Sequence, residues 1–225
     1  MTEDRSDQLA ELLESQRRFY DLRAPDYAEP TKLTDRKHRG LMPSAEVRAL
    51  VDEFAPTGDV LELACGAGSF TRELLRHATT LTAIDGSTRM LELNREIVND
   101  PSVEYHHVDL FDWWPDRTYD AVFFGFWLSH VPPTRFETFW TMVRACLRPG
   151  GRVAFVDEDP RARGHELVHS DGDVPIAVRT LADGTHYEIV KVFWDPIELE
   201  ERLTELGWSP SVRATGASFL VGFVR

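Results

Sequence analysis

The chain is poor in cysteine, with only Cys65 and Cys146 among its 225 residues. Two lone cysteines make neither a disulfide framework nor the paired spacing of a zinc site, and both are expected to be reduced thiols of a cytoplasmic protein. Long apolar runs are missing too. The longest, from Tyr119 to Val131, is cut by Asp120, Gly125 and His130, well short of the ~20 residues of a membrane-spanning helix. The opening MTEDRSDQLAELLESQRR is charged throughout and holds no apolar secretory core. Positive charge is scarce: 25 Lys and Arg against 38 Asp and Glu leave a net charge of −13. A nucleic-acid footprint or an anionic membrane surface needs a basic face, so neither is an expected partner. The balance permits cationic or neutral small substrates. Fixed-period repeats and low-complexity tracts are absent as well.

What is there has the composition of an ordinary globule, 42% hydrophobic and 28% charged, of a length that suits one domain. Residues 6–20 place Leu9, Leu12, Leu13, Gln16, Phe19 and Tyr20 at helical spacing. The following DLRAPDYAEPTKLTDRKHRG is rich in turn formers and charge and reads as a lid or connector. A second helix after Pro43-Ser44 carries Val47, Leu50, Val51 and Phe54 on one stripe and stops at Pro56-Thr57-Gly58.

From residue 59 strands and helices alternate. Strands are expected at 59–64, 80–85, 102–109, 119–126 and 152–157, and helices at 68–77, 87–98 and 133–147, the last broken by Arg-Pro-Gly-Gly. Such alternation over about 100 residues means a doubly wound parallel sheet. The stretch from Glu158 to Pro175 reads as a charged loop. Two β-like runs then flank Ala182-Asp183-Gly184-Thr185, whose Asp-Gly is a hairpin signal. Asp195-Pro196 opens a helix that Gly207 ends, and 218–224 finishes as a strand.

The segment VLELACGAGSF, residues 60–70, sits where the first strand turns into its helix. Gly66 and Gly68 let the backbone approach a ligand, and the helix start offers free N–H groups. Glu62 precedes the glycines within the strand, and Asp85 ends the next strand, where an acid can accept two ribose hydroxyls. Ligands of open parallel sheets lie beyond these strand ends. A dinucleotide fingerprint would put its third glycine at Thr71 and therefore fails, and no Walker lysine follows the glycines.

ELACGAG, AIDGS, HHVDLFDW, YDAVFFGFWLSHVP and LRPGG, in this order, resemble the motifs of class I S-adenosylmethionine-dependent methyltransferases over Val60 to Asp157. FYDLRAPDYA resembles the cap of the small-molecule members. The resemblance implies an α/β fold: a doubly wound, mostly parallel seven-stranded Rossmann-like sheet, an N-terminal helical cap, and a hairpin and loop insertion after the fifth strand. One domain would comprise a cap over 1–56, a cofactor-binding half over 59–157 and an acceptor side over 158–225. The implied cofactor is S-adenosyl-L-methionine. Glu62, Ala64, Gly66 and Gly68 would line its methionine half. Asp85 would hold the ribose, with Gly86 leaving room for the adenosine. Met90 would pack near the adenine, Asp109 would accept its amino group and Leu110 would cover the ring. Phe124 to Phe126 would lie beside the sulfonium. Many relatives have a polar residue there, and its absence speaks against Asn-Pro-Pro-Tyr-type methylation of nucleic acid or protein amides. Tyr20, Tyr27 and Arg39 fall where relatives close over the cofactor.

The implied activity is methyl transfer to an oxygen or nitrogen of a small molecule. The alternative is a protein of the same fold that binds the cofactor structurally or for other chemistry, such as cyclisation. His130, four residues past the fourth strand, is the candidate base, with helix capping as its structural alternative. Tyr20 to Tyr27 and the loop from Glu158 to Asp173 are expected to roof the acceptor cavity, and Asp157, Glu158 and Asp159 make a cationic amine a plausible guest. A metal is not expected: His106 and His107 point to opposite sides of a strand, and His165 and His169 lie among glycines.

Overall fold

Alternating side chains decide the layers. The computed structural model describes residues 2–28, 44–161, 168–171, 173–215 and 219–225. Its elements begin with helix α1 (Thr2–Ala28) and helix α2 (Ser44–Phe54). Strand β1 (Asp59–Leu63), the one-turn helix α3 (Thr71–Leu74), β2 (Thr80–Asp85), α4 (Thr88–Val98) and β3 (Val103–His107) follow. Then come β4 (Tyr119–Gly125), α5 (Phe136–Ala145) and β5 (Leu147–Glu158). The chain ends with β6 (Val168–Asp171), β7 (Val174–Thr180), β8 (His186–Val190), α6 (Pro196–Glu205), β9 (Pro210–Ala214) and β10 (Phe219–Val224). Seven strands form one sheet in the order β3-β2-β1-β4-β5-β10-β9, parallel as far as β5 and antiparallel at β10 and β9. This is the doubly wound, Rossmann-like sheet expected from the motifs.

Leu61, Leu63, Val122, Phe124, Val153 and Phe155 share one core with α5 and α6, centred on the fully buried Trp140. Their neighbours Val60, Ala121, Phe123, Ala154 and Val156 share the other core with α2 and α4. Both faces are therefore apolar, which is why β4 reads as a continuous hydrophobic run. Helix starts follow their caps. The Ser87 hydroxyl accepts from Met90 N at 3.1 Å, and Asp195 accepts from Ile197 N and Glu198 N ahead of Pro196.

Five elements differ from expectation. Helix α1 does not stop near Tyr20 but runs through Pro25 to Ala28. A proline that late forfeits one hydrogen bond, and docking of α1 against β8, with Phe19 on Ala177 and Ile189, offsets the loss. Helix α3 is only four residues long, because Gly66 and Gly68 hold positive φ and delay its start to Thr71. Strand β5 begins at Leu147, and the Arg-Pro-Gly-Gly segment bulges between the pairs Tyr119–Leu147 and Ala121–Arg152. Strands β6 and β9 arise where a loop and a helix-to-strand connection are expected. Each sits at a sheet edge, where half-exposed polar residues leave little hydrophobic alternation to read. The Asp-Gly hairpin is present between β7 and β8, and with β6 it forms a separate three-stranded sheet.

Candidate active site

The switch in strand order falls between β1 and β4, and both strands end there in the left-handed region: Ala64 has φ 50° and Phe126 φ 56°. Such backbone is costly for non-glycine residues and clusters at functional sites. The two chains part, and a cavity opens beyond the strand ends, as the fold rule requires.

The glycine turn is held from below. Glu62 is buried under it and accepts from the Thr71 hydroxyl at 2.7 Å. Asn94 donates to that hydroxyl at 3.0 Å and to Gly66 O at 3.1 Å, and it accepts from the Tyr105 hydroxyl at 2.9 Å. Thr71, the residue that spoils a dinucleotide fingerprint, thus links the strand acid to α4. Burial pushes the Glu62 carboxyl up to about 8, and the nearby Asp85 charge acts in the same direction. Gly66 and Gly68 differ in role. A Cβ at Gly66 would meet nothing within 4 Å, so this turn faces open space. A Cβ at Gly68 would lie 2.7 Å from Asn94 Oδ1, on backbone with φ 90°. Gly68→Ala is expected to cost about 2 kcal/mol of stability and Gly66→Ala about 1 kcal/mol. Urea unfolding checks the order, and equal losses would contradict it.

Asp85 ends β2 facing the cavity. Its two oxygens accept from Gly66 N and Ser87 N, each at 2.8 Å, leaving outward lone pairs. Burial raises its pKa, and the two N–H bonds oppose that rise. Asp109 lies farther along the same wall, ion-paired with Arg17 of α1. Helix α1 crosses the cavity as a strap. Asp21 accepts from the Ser87 hydroxyl at 2.7 Å at the Asp85 end. At the other end Gln16 donates to His130 O at 3.3 Å and accepts from Val190 N at 3.0 Å.

His130 sits in a short 3-10 turn, Leu128–His130. Its Nδ1 lies 2.8 Å from Val190 O, and its Nε2 lies 2.7 Å from the Tyr20 hydroxyl. A carbonyl only accepts, so Nδ1 carries the proton, Nε2 is the acceptor and Tyr20 donates to it. Burial, with the Lys191 charge adding, holds the imidazole pKa well below its usual range, and burial raises that of Tyr20. Both ring nitrogens are thus engaged, and direct contact of His130 with an acceptor would break one of these bonds. Arg23, Arg179, Lys191 and Glu158 line the same end. Lys191 is buried, 2.7 Å from Glu158 Oε2 and 3.2 Å from the Ser129 hydroxyl.

Of the residues singled out from sequence, Tyr20, Tyr27, Ala64, Gly66, Asp85, Gly86, Met90, Asp109, Leu110, Phe126 and His130 line this one cavity. Three do not. Phe124 is fully buried within the core shared with α5 and α6 and stacks on Phe155 with ring centroids 5.4 Å apart. Glu62 lies beneath the turn, and Gly68 packs on α4. Arg39 lies outside the described residues, as do residues 162–167 and 172 of the expected roof. The acidic triplet is already engaged. Asp157 accepts from Ser129 N and Glu158 N, Asp159 pairs with Arg161, and Glu158 pairs with Lys191. Sequence reading missed Arg17, Arg23, Arg179 and Lys191, which no local motif marks. Cys65 and Cys146 are buried and unpaired. Trp113 packs on the core, and Trp114 is exposed. Among the described residues no three potential ligands cluster for a metal, and no helix is long and apolar enough to cross a membrane.

A doubly wound sheet with a glycine turn, a strand-end acid and a cavity at the switch point defines a nucleotide-cofactor protein of the Rossmann-like class. Comparison with known proteins narrows this. The family profile described as a methyltransferase domain matches residues 60–151. The chain is 41% identical to the protein in the solved DhpI–SAH complex, with a TM-score of 0.78, covering 95% of this chain and 96% of that one. It is 34% identical over 135 residues to a fatty-acid O-methyltransferase of Mycolicibacterium smegmatis, 59% of this chain and 48% of that protein. It is 28% identical over 201 residues to a ubiquinone biosynthesis O-methyltransferase of Thiobacillus denitrificans, 81% of this chain and 83% of that one. The match thus spans about half the length of the fatty-acid enzyme. The chain belongs to the class I S-adenosylmethionine-dependent methyltransferases.

Proposed function

We propose that the protein transfers the methyl group of S-adenosylmethionine to an oxygen of a small molecule by in-line displacement. The observation that carries this reading is one continuous cavity, with Asp85 and Asp109 at one end and Tyr20 and His130 at the other. The residues fit the cofactor. The open space over Gly66 takes a close-lying ligand, the outward lone pairs of Asp85 suit ribose hydroxyls, and Asp109 suits the adenine amino group. Met90 and Leu110 would pack on the base, with Gly86, Ala64 and Phe126 along the path between. Tyr20 would close the acceptor end, and Tyr27, within reach of both the Asp85 and the Arg23 charges, would lie between the two ends.

The bound cofactor supplies a methyl group already activated on a sulfonium. The protein's work is then orientation and exclusion of water, and orientation alone can contribute roughly 7–11 kcal/mol. Oxygen is preferred to nitrogen as acceptor atom because both curated relatives described above are O-methyltransferases. The buried, unpaired thiols agree with a cytoplasmic setting. The whole chain would act as one unit, with 1–56 as cap, 59–157 holding the cofactor and 158–225 framing the acceptor. Incubation with S-adenosylmethionine and a panel of small acids, alcohols and amines should form S-adenosylhomocysteine in an acceptor-dependent way. Tight S-adenosylhomocysteine binding with no turnover on any of them would favour the non-methylating alternative.

A further inference from the structure

The acceptor end of the cavity carries a charge pattern opposite to that of the molecule as a whole. A chain of net charge −13 gathers Arg23, Arg179 and Lys191 around the Tyr20–His130 pair. Lys191 is balanced locally by Glu158 at 2.7 Å. Arg23 has no such ion pair among the described residues. Its Nε is buried with no hydrogen-bond partner among the described residues, and its guanidinium lies 5.6 Å from the Phe19 ring and 5.1 Å from the Tyr27 ring. Ring faces attract a cation but do not satisfy an N–H donor. The fields of Arg23 and Arg179 both reach Tyr20 and His130, so their charges converge on the place where an acceptor would lie. Asp157 and Asp159 are committed to Ser129 N, Glu158 N and Arg161, while Glu158 is ion-paired with Lys191 and its Oε2 accepts no hydrogen bond among the described residues.

The Tyr20–His130 pair adds a second requirement. Because Val190 O fixes the imidazole tautomer, the Tyr20 proton points at Nε2, and only oxygen lone pairs remain to face the cavity. A fully deprotonated anion would place its own lone pairs against them. A group with an O–H would donate instead.

We propose that the acceptor is a small anion that also presents one O–H group, its charge held by Arg23 with the field of Arg179 adding, and its hydroxyl received by the Tyr20 oxygen. This deepens the methyl-transfer reading and rests on it. Two kinds of molecule share the chemistry: an oxyacid that keeps a proton while charged, as phosphate does, and a hydroxycarboxylate. A carboxylate without a hydroxyl, a neutral alcohol and an amine each fail one requirement. His130 is a positioning residue here, since it acts by orienting Tyr20.

The test is binding to the S-adenosylhomocysteine-loaded protein, which needs no turnover and stays informative if the methyl-transfer reading fails. Inorganic phosphate, glycolate, acetate, ethylene glycol and ethylamine are titrated at neutral pH by calorimetry or by ligand-induced change in Tm. Phosphate or glycolate is expected to bind at least tenfold tighter than the other three, and which of the two leads separates the two sources. Arg23→Gln should weaken the leading probe at least tenfold with S-adenosylhomocysteine affinity kept within threefold. Tyr20→Phe should abolish the preference of that probe over acetate, and His130→Ala should do the same by freeing the Tyr20 proton. The proposal is overturned if acetate binds as tightly as both O–H carriers, or if ethylamine binds best. It is also overturned if Arg23→Gln weakens S-adenosylhomocysteine as much as the probe, because the residue would then serve the cofactor. Retained selectivity in both Tyr20→Phe and His130→Ala would remove the hydroxyl requirement.

Discussion

Asp85→Ala is expected to weaken S-adenosylhomocysteine binding by about ten- to a hundredfold, ~1.4–2.8 kcal/mol. The size follows from two contributions that one carboxylate makes. Facing outward, its lone pairs would accept two ribose hydroxyls, and hydrogen bonds to a charged acceptor are the strong ones. Facing inward, it accepts Gly66 N and Ser87 N at 2.8 Å each and so joins the glycine turn to the start of α4. Alanine removes both contributions, whereas Asp85→Asn keeps the shape and puts an amide N–H against one of those donors. Asn should therefore fall between wild type and Ala. Gly86→Ala is a useful companion, because a Cβ there meets only Val108 O at 3.6 Å and Arg17 Cδ at 3.9 Å and spares the fold. Calorimetry showing unchanged affinity for Asp85→Ala would take the residue out of the cofactor seat.

The second large effect is on stability against pH and comes from Glu62. The folded protein holds the Glu62 proton up to about 8, while an ordinary glutamate carboxyl loses it at 4.5. Between these limits the folded state binds more protons than the unfolded state, so stability falls as pH rises through the window. Below the lower limit both states are protonated and above the upper one neither is, so the contribution levels off at each end. The loss across the window approaches about 5 kcal/mol, with Asp85 and Asp157, also raised by burial, acting in the same sense. Glu62→Gln carries no titrating group and can still accept the Thr71 hydroxyl. Urea unfolding from pH 5 to pH 8.5 should give a flatter profile for the variant than for wild type. Identical slopes for the two proteins would mean that Glu62 is ionised in the fold.

Much of this architecture is legible in the sequence, for local reasons. Ser87 and Asp195 cap the helices they precede, Asp183-Gly184 turns the hairpin, and the paired glycines with Asp85 mark the crevice. Each is set by a few adjacent residues. The cationic end of the cavity is not legible, because Arg23, Arg179 and Lys191 come from α1, β7 and the residue after β8 and meet only in the fold. Phe124 illustrates a different limit. When both faces of a strand are apolar, alternation shows that Phe123 and Phe124 differ in direction but not which faces the ligand. The structure buries both, and the crevice falls to Gly125 and Phe126. Tyr20 shows a third: its helical spacing is plain, but its partner is 110 residues away.

The left-handed turns at Ala64 and Phe126 bear on how this site can be redrawn. Two neighbouring strands swing apart there through main-chain torsions, so the opening survives changes in the side chains around it. Rims supplied by α1, β7 and the residue after β8 can be recoloured for other guests while the seat beneath keeps its outline. A β-branched residue at either torsion would instead press the strand ends toward extended geometry and narrow the gap itself. Valine scanning should therefore divide the cavity wall into positions that alter which guest is chosen and two positions that decide whether there is room for one.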